Sequence, residues 1–220
     1  MAWEVVANEY WQLLLSRLIE LIKAPALNPE MGWIIAPLIL TVVLMTFYFG
    51  KYTREELGWN TAIGNSVVLL FVAIDLLRYL FHLTSPGSIL NFQDEWIKSL
   101  IALGVASEGI TLLLSNFFKA LPKHVSFFIC SPLPVNLQAY VAIAIVYTDI
   151  SFDWATLVAA IMLFLMLLIA MTLIKKVEHW MLVKLQEAKE AELEEEKRNA
   201  EETRKAIVEQ QKKLKKQNKS

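Results

Sequence analysis

The sequence predicts an all-α membrane protein of about five transmembrane helices, with an N-terminal amphipathic interfacial helix and a long charged C-terminal cytoplasmic helix. Three observations predict it. Of the 220 residues, 56% are hydrophobic, against about 45–50% in an ordinary soluble domain. The charge is segregated: residues 175–220 hold 13 of the 21 Lys/Arg and 10 of the 22 Asp/Glu. The apolar remainder is cut into stretches of the length that crosses roughly 30 Å of hydrocarbon. A soluble globule and a disordered chain are thereby excluded, and the single cysteine, Cys130, excludes a disulfide-stapled secreted domain. The chain divides into residues 1–30, 31–174 and 175–220.

Residues 1–24 are too polar to cross a bilayer. On a helical wheel Trp3, Ala7, Tyr10, Trp11, Leu14, Leu18, Leu21 and Ile22 share one face, and Asn8, Glu9, Gln12, Ser16, Glu20 and Lys23 share the opposite one. This pattern predicts a helix lying in the outer interface and ended by Pro25 and Pro29. A helix packed on a partner subunit is the alternative. The segment lacks the cationic start and cleavage site of a signal peptide.

Five spans follow: Trp33–Gly50, Trp59–Leu83, Ile97–Leu121, Val125–Thr148 and Trp154–Ile174. The fourth is broken by Pro132 and Pro134, and either crosses with a kink or turns back. Trp33, Trp59, Trp96 and Trp154 stand at the boundaries, where interfacial aromatics belong. Basic residues cluster in alternate connections (Lys51 and Arg54; Lys119, Lys123 and His124; Lys175 and Lys176), whereas the others carry Asp94, Glu95, Asp149 and Asp153. Alternation of this kind predicts the N-terminus outside and the C-terminus in the cytoplasm.

Ionisable groups within spans are costly and each needs an account. Asp75 and Arg78 are i,i+3 neighbours able to neutralise one another, with His82 a turn beyond. Such an intramembrane charge pair fits a structural lock or a gating element. Gly104, Glu108, Thr111 and Ser115 form a narrow stripe on the third span, along which small residues would let helices approach. Glu108 has no cation within one turn, so Arg78 of a neighbouring span, a proton, or a hydrated path has to accommodate it. Ser131, Asn136 and Gln138 surround the two prolines and can satisfy freed backbone. Glu108, Asn136, Gln138 and Ser131 therefore form the candidate ion or proton path.

From Lys175 to about Gln217 there is no Pro or Gly, and good helix formers dominate. Leu193, Ala200, Ile207 and Leu214 repeat every seven residues, but Glu196, Thr203 and Gln210 fill the second seam position of a coiled coil. The tail reads as a solvated rod or a loose bundle. Residues 187–202 hold eight Glu against three basic residues, and residues 204–219 hold seven Lys/Arg against Glu209 alone. Lys212, Lys213, Lys215 and Lys216 at the basic end could meet a cytoplasmic protein or an anionic surface. No aromatic interleaving supports sequence-specific nucleic-acid readout.

The sequence carries no phosphate-binding loop, dinucleotide fingerprint, nucleophile elbow or zinc-protease motif, and His82, His124 and His179 lie in separate segments. No catalytic residue, cofactor or metal is expected. Two functions fit. One is a small homo-oligomeric channel or pore component, passing ions or protons through the polar midplane zone. The other is a membrane-anchored scaffold or assembly component that recruits a partner through its tail.

Overall fold

The computed structural model describes residues 2–52, 58–83 and 87–217, of which 2–7 and 202–217 are described in backbone only. Arg54, one of the residues used to orient the chain, lies outside the described residues. So do the side chains of Lys212, Lys213, Lys215 and Lys216.

The described chain is helical: α1 (Ala2–Leu27), α2 (Met31–Lys51), α3 (Trp59–Phe81), α4 (Leu90–Asp94), α5 (Trp96–Phe117), α6 (Lys123–Ile129), α7 (Pro132–Tyr147) and α8 (Trp154–Gln217). Four helices are long and apolar enough to cross a membrane: α2, α3, α5 and the first part of α8. The α6–α7 pair makes a fifth if counted as one span, bent by 42° at its break. The chain is thus compatible with an integral multi-pass membrane protein. Two compact units divide it at Thr172 and Leu173.

Within residues 1–172, α3 and α5 pack along their lengths and α7 lies against α2, α3 and α5. α7 is apolar on every side and ten of its residues are buried, as a central helix requires. α2 and α8 present most of their apolar side chains outward, Leu40, Leu44, Ile161 and Ile169 among them, which suits a hydrocarbon solvent. Trp33, Trp96 and Trp154 are exposed at helix starts. Within residues 173–220, the described side chains of 183–201 are mostly exposed, as their polar composition dictates.

Pro25 and Pro37 lie inside helices, whereas Pro132 and Pro134 sit where the backbone can spare a donor. Contrary to expectation, α1 does not end at Pro25 but runs through it to Leu27. The ring removes the amide that would reach the Leu21 carbonyl, and the Tyr140 hydroxyl of α7 donates to that carbonyl instead. Asn28 then closes the corner, its side-chain amide donating to the Tyr147 carbonyl at 2.7 Å. Pro132 and Pro134 fall in the first turn of α7, where amide donors have no partner to lose.

α5 ends at Phe117, before the expected Leu121. Lys119 adopts the left-handed conformation (φ 51°). The Ala120 amide reaches back to the Ser115 carbonyl at 2.8 Å, and the Lys119 amide to that of Asn116 at 3.2 Å. This is a Schellman stop in which lysine stands where glycine is usual, so composition did not announce it.

Candidate intramembrane site

Three polar groupings lie within or beside the spans. The most buried of them was not anticipated. Asn65 and Ser66 of α3, Asn116 of α5, Ser126 of α6 and Cys130 at the α6–α7 break are all buried. The Asn65 side chain donates to the Cys130 carbonyl at 2.7 Å. Asn116 donates to Ser66 Oγ at 3.1 Å and to Cys130 Sγ at 3.1 Å. Ser126 Oγ in turn donates to Asn116 Oδ1. The network satisfies its own members and caps the carbonyl that the break exposes, as a non-helical backbone within a bilayer demands. Asparagines in apolar runs were its only sequence signal.

The second grouping contains the Asp75–Arg78 pair. Arg78 Nη2 stands 2.7 Å from Asp75 Oδ1, and the Tyr147 hydroxyl donates to Asp75 Oδ2 at 2.7 Å. Tyr147 also stacks on Tyr79, with ring centroids 3.8 Å apart. Asp75 is therefore braced to α7 while the Arg78 side chain remains 66% exposed. His82 caps the end of α3, exposed and edge-on to Phe81. Arg78 is committed to Asp75 and does not serve as the partner of Glu108.

Glu108 is the centre of the third. It lies just past the middle of α5, and its carboxylate accepts a hydrogen bond from the Gln138 side-chain amide of α7. Both residues line a groove of about 760 Å³ between α5, α7 and α8, whose other walls are almost entirely apolar. Gly104 opens onto it, with no atom within 4 Å of where its Cβ would stand. The expected close approach along this stripe occurs instead at Gly109, against Leu69 and Leu70 of α3. A carboxylate with one neutral donor keeps acceptor capacity for a cation, a proton or a further donor.

The structure thus brings Glu108 and Gln138 together but sets Ser131 and Asn136 elsewhere. Ser131 Oγ donates to the Phe128 carbonyl at 3.0 Å, within the break. Asn136, two residues before Gln138 on the same helix, faces a separate cavity toward α1 and α2. Among the described residues no group of three His, Cys, Asp or Glu is placed to hold a metal.

The chain matches no family model, no curated protein and no solved structure. The geometry of the three groupings is therefore the whole basis for a functional reading.

Beyond the spans, Arg17 of α1 reaches Asp153 at 2.9 Å and Glu20 at 2.8 Å. The hydrogen bond to Glu20, working against burial and assisted by Asp153, holds the guanidinium above its ordinary value. Burial pushes Asp153 up, but hydrogen bonds from the Thr156 amide, Arg17 and the Thr156 hydroxyl outweigh it and hold the carboxyl below its usual range. This cluster ties α1 to the start of α8.

Proposed function

We propose that the protein is a subunit of a small homo-oligomeric membrane channel or pore component, with Glu108 and Gln138 on its ion or proton path. The observation that carries the reading is the position of the Glu108–Gln138 pair. An ionisable group near the middle of a span faces an open apolar groove, whereas the buried asparagines and serines satisfy one another inside the bundle. A carboxylate at that depth is too costly to keep for packing alone when glutamine could make the same contact. α3, α5 and α7 pack directly on each other, so the path forms where a second copy completes the groove wall. In this reading α1 lies in the outer interface, the N-terminus is outside and the charged end of α8 is cytoplasmic.

Ion and proton flux into proteoliposomes tests it, with wild type and Glu108→Gln reconstituted at equal density. The expected outcome is flux in the wild type that falls, or changes selectivity, in the variant without a change in oligomer size. Well-folded wild type that conducts no better than empty vesicles would sink the proposal. A second reading, a membrane-anchored scaffold, is favoured by α8, which continues without interruption to Gln217 and offers a long charged surface to a cytoplasmic partner.

A further inference from the structure

Successive residues of a helix are about 100° apart, so Asn136 and Gln138 point to different sides of α7. The side that Asn136 faces is a cavity of about 440 Å³ between α1, α2, α7 and α8, a size within the usual ligand-site range of about 300–1,000 Å³. Its walls are aliphatic: Ile22 of α1, Leu38 and Val42 of α2, and Leu163 and Leu167 of α8 among them. Ile22 and Ile39 on its margin are exposed, so the opening faces apolar surroundings.

Two lining residues are polar, and they differ in one respect. The Tyr140 hydroxyl is spent on the Leu21 carbonyl. Asn136 is only 4% exposed. Its amide nitrogen donates to the Pro132 carbonyl at 2.6 Å, and its Oδ1 is buried with no hydrogen-bond partner. An orphaned acceptor is unfavourable in such a setting. What relieves it has to arrive through an apolar opening and carry a donor. An ionised carboxylate brings no donor, and an ammonium group would have to shed its hydration in an aliphatic cavity. A neutral hydroxyl on an apolar body meets both demands.

We propose that this cavity binds a membrane-dissolved alcohol, its apolar body against α2 and α8 and its hydroxyl donating to Asn136 Oδ1 once that side chain turns toward the cavity. The site is separate from the Glu108 groove and does not depend on the channel reading. Straight-chain and isoprenoid alcohols share the required chemistry, and branching tells them apart.

The test measures thermal stabilisation of the full chain in detergent micelles titrated with hexadecan-1-ol, farnesol, 1-methoxyhexadecane and hexadecane. At least one alcohol should bind roughly tenfold more tightly than the ether and the alkane, as one hydrogen bond to an orphaned acceptor allows. Which alcohol binds more tightly identifies the natural body shape. Asn136→Leu should erase the preference for a hydroxyl. Leu163→Trp, which fills the cavity from α8 and leaves Asn136 unchanged, should abolish binding of every probe and keeps the test valid if Asn136→Leu does not fold. The proposal is overturned if neither alcohol binds better than the alkane, or if Leu163→Trp leaves binding intact.

Discussion

At Gly109 a single hydrogen atom in place of a side chain sets the distance between two helices. A Cβ there would stand 2.8 Å from Leu70 Cδ2 and 3.2 Å from Leu69 Cβ, while one at Gly104 would meet nothing within 4 Å. Gly109→Val should therefore destabilise the bundle by about 1–3 kcal/mol through overpacking. Gly104→Val, on the same helix but over open space, should change stability little. Thermal unfolding in detergent compares them, and equal effects would refute the assigned contact. The sequence pointed to Gly104, in the stripe with Glu108, and not to Gly109. Which one touches α3 depends on the rotation of α5, and that is fixed by burial of Ala102, Val105 and Leu112 against the core.

Helix termini carry the element-scale chemistry. Asp153 precedes α8 and accepts the Thr156 amide at 2.8 Å, the bond of an N-cap, while its other oxygen holds Arg17. Removing the cap in Asp153→Ala should cost about 1 kcal/mol. The ion pair adds at most a few tenths, because the Asp153 side chain is 37% exposed and solvent screens it. Asp153 is held below the ordinary carboxylate range, so its contribution is complete above that range and is lost as pH falls through the lower folded value. The difference in melting temperature between wild type and variant should thus shrink as pH drops below that range. A difference that stays constant down to that acidity would contradict the assignment. The sequence showed Asp153 as a loop acid that helped orient the chain, but its link to Arg17 joins residues 136 apart.

For the whole molecule, the division at Thr172 and Leu173 separates two compact units. Deleting residues 187–220 should leave the stability of the bundle unchanged within about 0.5 kcal/mol, as for changes remote from packing. Flux, if the channel reading holds, should also persist. Under the scaffold reading the same deletion should abolish capture of a cytoplasmic partner, which the isolated tail would retain in a pull-down. Unfolding of the truncated bundle would show that the two units depend on one another.

The sequence by itself determined where the long apolar helices lie, because that follows from local composition and the period of a helix, but not where α1 and α5 end. It showed the break between α6 and α7 through Pro132 and Pro134, and it marked Glu108 as a group needing an account. Tertiary structure alone decided the partners. Asn65 caps the break, Tyr140 answers the carbonyl freed by Pro25, and Gln138 meets Glu108, whereas the Asp75–Arg78 pair was already legible in its i,i+3 spacing. It also parted Asn136 from Gln138 into different cavities. These outcomes depend on the rotation and depth at which each helix packs, and many residues distant in sequence set those together.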